Sequence, residues 1–213
     1  GGDESLSKRP MGRIITPLSR MGSRIEAREG GFPPLRIHGG TIQPLTCDLP
    51  VASAQVKTAV LFAGLYAGGV TVVREPLRTR NHSELALREF GAEIETDGLE
   101  VRLQGRPRLR GRNLSVPSDL SSSAFFIGAA LLLPGSDVTL EGVGLNPTRT
   151  TLLDVLRGMG ARIEIVASFD QGGETTGDLH VEGPKTRGET VLAGGRIEGA
   201  ATATGSRGAT GGT

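Results

Sequence analysis

The sequence predicts an α/β protein built from repeated units, and three observations carry that prediction. First, one phrase occurs three times, as Met21-Gly22-Ser23-Arg24-Ile25-Glu26, Phe90-Gly91-Ala92-Glu93-Ile94-Glu95 and Met159-Gly160-Ala161-Arg162-Ile163-Glu164. Second, its period is fixed: Gly22 to Gly91 is 69 residues, and Gly91 to Gly160 is 69 again. Third, each phrase follows a helical pattern and precedes two strand patterns, and two copies also show an earlier apolar helix and strand. A complete unit therefore reads β-α-β-α-β-β, an arrangement in which helices pack on or within sheets.

The first unit lacks its opening helix. It starts with a helix over 11–21, ended by Gly22 in the left-handed C′ position, and Gly30-Gly31 then separates two strands, the second being Leu35-Arg36-Ile37. The second unit opens with a helix over 53–66, in which Val56, Ala59, Val60, Ala63 and Ala67 recur at three- and four-residue spacing. The strand Val70-Thr71-Val72-Val73 follows, then a helix over 82–90 and a hairpin turning at Asp97-Gly98. In the third unit a helix over 121–133 leads to the strand Val138-Thr139-Leu140 and a helix over 150–159. A longer connection over 168–177 is expected before the return strand Leu179-His180-Val181. About two and a half units are thus present, and a chain that opens in mid-unit reads as an internal fragment. The stretch 191–213 is rich in Gly, Ala and Thr without apolar periodicity, so disorder is expected there.

At 213 residues and 22.2 kDa, the chain can bury one good core or two modest ones. The formal net charge of +1 implies no general attraction to nucleic acid or membrane. Of the 24 basic residues only Lys8, Lys57 and Lys185 are lysines, which leaves 21 arginines, the side chain suited to bidentate capture of phosphate and carboxylate. Cys47 stands alone, which excludes a disulfide framework within the chain and fits a reducing cytoplasm. No run reaches the roughly eighteen apolar residues of a membrane span, and the start does not read as a signal peptide. His38, His82 and His180 lie far apart, so no metal site is expected. Gly142-Val143-Gly144 and Gly158-Met159-Gly160 lack the third glycine of a dinucleotide loop, and nucleotide binding is not supported.

Chemistry is expected where the long helix of the second unit begins. The first N–H groups of a helix have no intrahelical partner and carry the positive end of the dipole, so an anion is the natural ligand beside Ser53 and Gln55. Taken alone, Ser53 reads first as an N-cap. Its context adds more. The run Leu49-Pro50-Val51-Ala52-Ser53-Ala54-Gln55-Val56-Lys57-Thr58-Ala59 resembles a signature of the 5-enolpyruvylshikimate-3-phosphate synthase family. Four further blocks agree in order and spacing: Gly2 to Met11, Arg78-Thr79-Arg80-Asn81-His82-Ser83-Glu84, Ser118-Asp119-Leu120-Ser121-Ser122-Ser123-Ala124-Phe125-Phe126 and Gly144-Leu145-Asn146-Pro147-Thr148-Arg149-Thr150.

The resemblance implies the inside-out α/β barrel of the enolpyruvyl transferases, with two domains of three units each and the active site in the cleft between them. Residues 1–116 would supply the second and third units of one domain and 117–190 the first unit of the other. The implied activity is transfer of the enolpyruvyl (carboxyvinyl) group from phosphoenolpyruvate to the 5-hydroxyl of shikimate 3-phosphate, without metal or redox cofactor. By resemblance Ser53, Ala54, Gln55 and Arg80 hold shikimate 3-phosphate, and Arg9 and Gln55 reach phosphoenolpyruvate. No position matches the family's acid and base residues, so the chain alone is expected to be inactive, needing a complementing chain or self-association. Lys57, two residues beyond Gln55, points elsewhere on the helix. Asn81 departs from the family's usual aspartate, but can still cap a helix. Asp119, Ser121 and Ser122 read as a helix cap, and Asn146, Thr148 and Arg149 as capping and interdomain packing. Two alternatives remain: a non-catalytic anion-binding or scaffold module, and the enzyme acting on UDP-N-acetylglucosamine, whose reactive-cysteine loop has no match around Cys47.

Overall fold

Residues 3–185 are described by a computed structural model of the chain. The disordered tail expected over 191–213 lies outside the described residues. A short helix, α1 (Glu4–Ser7), is capped by Asp3, whose carboxylate accepts from the Leu6 N–H at 2.8 Å. Helix α2 (Gly12–Arg20) leads into the antiparallel strands β1 (Arg24–Arg28) and β2 (Phe32–His38), with Ile25 opposite Ile37. The next unit is complete, running through β3 (Thr46–Asp48), α3 (Ala54–Gly64), β4 (Val70–Arg74), α4 (His82–Glu89), β5 (Ile94–Asp97) and β6 (Glu100–Gln104). The last comprises α5 (Leu120–Leu132), β7 (Asp137–Gly144), α6 (Thr151–Gly158), β8 (Arg162–Gln171) and β9 (Glu174–Glu182).

The repeated glycine ends its helix identically each time. Gly22, Gly91 and Gly160 have φ of 96°, 92° and 99°, a conformation that costs a side chain roughly 1–2 kcal/mol. Around them the amides of Ser23, Ala92 and Ala161 donate to Leu18, Leu87 and Leu156, and those of the three glycines to Ser19, Arg88 and Arg157. This is the paired bonding of a Schellman stop. The register extends to side chains, because Arg88 donates to the Ile94 carbonyl and Arg157 to the Ile163 carbonyl.

The sheets repeat as well. In the complete unit the order is β3-β4-β6-β5, with β3 parallel to β4 and the other two pairings antiparallel. In the last unit the order is β7-β9-β8, and Ser118 forms a parallel bridge to Val143 where β3 pairs with β4 in the other copy. One expected feature is corrected here: β8 and β9 are joined by a tight turn at Gly172-Gly173, with φ of 62° and 79°, and not by a connection over 168–177. Two left-handed glycines are what a two-residue hairpin demands, and the strands run up to it although their apolar alternation fades.

The described residues divide into two compact units, separating between Pro117 and Ser118. Gly144–Arg149 and Phe169–Thr176 group with the first. In that unit Val56, Val60 and Leu61 of α3 pack with Val73, Val101 and Leu103 of the sheet, and Met21, Cys47 and Leu87 complete the core. Along β6, Val101 and Leu103 are buried while Arg102 and Gln104 are exposed, the alternation of a half-covered sheet. In the second unit Asp119 caps α5 by accepting from the Ser122 N–H at 3.1 Å, and Ile127, Leu153, Leu179 and Val181 are buried.

Candidate functional site

Three helix beginnings in the first unit border one cleft of about 640 Å³. Arg9, Met11 and Arg13 come from the start of α2, Ala54, Gln55 and Thr58 from the first turns of α3, and Arg80, His82 and Ser83 from the start of α4. Gln55 and Thr58 are three residues apart, which places them on one face of the helix. Thr58 Oγ1 and Ser83 Oγ lie 2.6 Å apart and tie α3 to α4 at the cleft wall.

The lining contains three guanidinium groups and no carboxylate. Each helix start adds partial positive charge and unpaired N–H groups. A cation there is unfavourable by about 0.3–1 kcal/mol unless an anion answers it. The arrangement is therefore poised for a ligand carrying several negative charges on oxygen, which guanidinium forks grip in pairs.

The residues expected from the sequence are distributed as follows. Arg9, Ala54, Gln55 and Arg80 line this cleft. Ser53 is used locally, its hydroxyl accepting from the Val56 N–H at 3.4 Å as the N-cap of α3, and it is not among the lining residues. Arg13 was not anticipated. Its guanidinium donates to Gln55 Oε1 at 3.1 Å, which turns the amide so that its NH2 faces away from Arg13. The available signal was a basic residue in the first turn of a helix, against the dipole; the pairing itself spans 42 residues and leaves no local trace.

Lys57 lies away from the cleft, as its helical position requires, but it is not a surface cation. It is 1% exposed, and its ammonium sits 2.9 Å from Glu75 Oε2 and 2.6 Å from Glu84 Oε1. Thr79 Oγ1 donates to the other Glu75 oxygen, so the buried cluster also anchors the residue before Arg80.

Asn81 corrects the expectation of a side-chain cap. It is the N-cap residue of α4, yet its side chain makes no capping bond; Oδ1 accepts instead from Asn146 Nδ2 at 2.8 Å. Asn146, 2% exposed, also donates to Glu174 Oε2 at 3.0 Å and accepts from the Thr148 N–H at 2.9 Å and its hydroxyl at 2.6 Å. His82 Nδ1 bonds Glu174 Oε1. These groups belong to the first compact unit, and tertiary bonds outcompete the local cap.

Cys47 is buried in the core, where burial pushes its thiol up from the usual range and Arg20 pulls it partly back. That is an inert thiol, not a nucleophile. Among the described residues no group of three His, Cys, Asp or Glu side chains is arranged to hold a metal ion, and no helix is long and apolar enough to cross a membrane.

The family model for EPSP synthase (3-phosphoshikimate 1-carboxyvinyltransferase) matches residues 1–195. The chain belongs to the EPSP synthase family. The 3-phosphoshikimate 1-carboxyvinyltransferase of Solibacter usitatus is 57% identical over 202 residues, covering 95% of this chain and 46% of that protein. The enzyme of the same name from Geobacillus kaustophilus is 54% identical over 181 residues, covering 84% and 42%. A solved EPSP synthase from Acinetobacter baumannii superimposes with a TM-score of 0.77 at 48% identity, covering 86% of this chain and 42% of that one. The enolpyruvyl transferase NikO from Streptomyces tendae shares the fold, with a TM-score of 0.66 at 19% identity. The chain thus spans about half the length of the EPSP synthases it matches.

Proposed function

We propose that this chain carries the anion-holding side of an enolpyruvyl transferase site, serving transfer of the carboxyvinyl group of phosphoenolpyruvate to the 5-hydroxyl of shikimate 3-phosphate in the shikimate pathway. The observation that supports it best is the charge balance of the cleft, with Arg9, Arg13, Arg80 and three helix starts facing no carboxylate. Both substrates are oxyanions. We assign Ser53, Ala54, Gln55 and Arg80 to shikimate 3-phosphate, and Arg9 with Gln55 to phosphoenolpyruvate. Arg13 positions Gln55 by occupying its amide oxygen.

In this reading the 5-hydroxyl oxygen adds to the central carbon of phosphoenolpyruvate while the methylene carbon gains a proton. The tetrahedral adduct then returns that proton and expels phosphate. The cleft supplies charge stabilisation for these steps. Its lining has no carboxylate or lysine, and its one imidazole, His82, is engaged by Glu174, so in this reading the main proton-moving groups come from a complementing chain or a second copy, and the 213-residue chain alone binds without turning over. We further assign residues 1–116 to the second and third units of one domain, 117–190 to the first unit of the other, and the working compartment to the cytoplasm.

Calorimetric titration of shikimate 3-phosphate into the chain tests the assignment. Saturable binding that weakens about tenfold or more in Arg80→Ala and in Gln55→Ala supports it. Absence of binding by a chain that circular dichroism shows to be folded rejects it. The same lack of a carboxylate or lysine in the lining favours the second reading, a non-catalytic binding module; turnover regained with a complementing polypeptide decides against that reading.

A further inference from the structure

A second concentration of positive charge lies away from the cleft, on the segment that follows β6. Arg106, Arg108, Arg110 and Arg112 alternate with other residues, and all four line a hollow of about 420 Å³. The segment leaves the sheet through a bend at Gly105-Arg106, and its four arginines border the same hollow. Its backbone is pinned at two points, Arg106 N donating to the Leu65 carbonyl and Arg110 N to the Phe90 carbonyl, each at 2.8 Å. Arg106 is held at φ 55°, a conformation that side chains disfavour.

The charge is largely unanswered. Arg112 reaches the Glu89 carboxylate at 3.5 Å and the Glu89 carbonyl at 3.1 Å. Among the described residues, Arg106, Arg108 and Arg110 have no ion pair or side-chain hydrogen bond. Glu93 is the one acid in the lining, leaving four guanidinium groups against one carboxylate. The like charges on this seven-residue strip repel one another, and of the four only Arg112 has a carboxylate partner.

We propose that this hollow binds a compact polyphosphate, either free or as the tail of a nucleoside triphosphate. Guanidinium forks match phosphoryl oxygens in pairs, and several linked phosphoryl groups supply the charge that four arginines require. The volume falls within the range of small-molecule sites. No aromatic side chain is in the lining, so the contacts to the phosphate chain carry the recognition. This site is separate from the cleft and does not depend on the transferase reading.

The test is calorimetric titration of sodium tripolyphosphate at low salt into the full 213-residue chain. The Arg108→Ala/Arg110→Ala and Arg80→Ala variants are compared with it, and circular dichroism verifies that each is folded. One-to-one binding that falls about tenfold or more in the double variant and is retained in Arg80→Ala supports the site. ATP binding like tripolyphosphate, with adenosine silent, identifies the phosphate tail as sufficient; tripolyphosphate binding without ATP restricts the site to the free polyphosphate. Shikimate 3-phosphate should show the opposite dependence on the two variants, which separates failure of this site from failure of the cleft. Absence of saturable tripolyphosphate binding, binding unchanged in the double variant, or binding lost in Arg80→Ala overturns the proposal.

Discussion

Replacing Lys57 by methionine removes the centre of a buried charge cluster while nearly keeping its volume. The two carboxylates it serves, Glu75 and Glu84, have side chains each 4% exposed, so neither can turn to water for its lost partner. Removing one member of a buried ion pair costs about 3–5 kcal/mol, and two orphaned carboxylates place this case toward the upper end. With a urea slope of about 2 kcal/mol per molar, a loss of about 4 kcal/mol moves the unfolding midpoint down by about 2 M. Far-UV circular dichroism, with emission from Tyr66 just beyond α3, follows the transition. The formal balance of the cluster is one ammonium to two carboxylates, and Glu84 Oε2 has no hydrogen-bond partner among the described residues. Glu84→Gln should therefore be far milder than Lys57→Met, within about 1 kcal/mol of the parent. A Lys57→Met midpoint within about 0.3 M of the parent, or a larger loss for Glu84→Gln, would refute this account of the cluster.

Two further outcomes test the glycine stops and one surface pair. Gly91→Ala should cost about 1–2 kcal/mol from its positive φ alone, since the nearest atom to a new Cβ, the Arg108 carbonyl oxygen, is 3.7 Å away. Gly22→Ala should cost more, because there the Thr41 carbonyl oxygen would lie at 2.9 Å; equal midpoints in urea would contradict this. His180 is held above its ordinary 6.5 by the hydrogen bond to Asp137 at 2.7 Å, burial opposing and nearby carboxylates assisting. Its contribution to stability is thus full below the unfolded value and is lost as pH rises through the folded one. An NMR titration of the ring should show a raised midpoint that Asp137→Asn brings back toward 6.5.

Periodic features were legible in the sequence because they are local. Gly22, Gly91 and Gly160 announced three identical helix stops, and Asp97-Gly98 a hairpin, since φ and turn type are dictated by a residue and its immediate neighbours. The Gly172-Gly173 hairpin carries an equally strong turn signal, but the polar residues on either side of it give no apolar alternation to show that the strands continue up to the turn. Asn81 failed for a different reason: with Glu84 three residues later it has the look of a capping box, but Asn146 takes one partner and Lys57 the other. Arg13 and Lys57 acquire their roles only through partners 18 to 42 residues away, and no local pattern encodes such pairing.

The threefold helix stop bears on how the chain assembles during synthesis. Everything that closes the four-stranded sheet has been made once Gln104 is added, because β6 pairs with the earlier β4 and with its neighbour β5. Contacts over such short separations close quickly, and a chain emerging from the ribosome at about 5–20 residues per second has time to settle one unit before the next appears. The identical stops then act as punctuation for vectorial folding, and nascent chains halted far enough beyond residue 104 for β6 to have left the ribosome should already resist proteolysis through β4 to β6, whereas chains whose β6 is still enclosed should not.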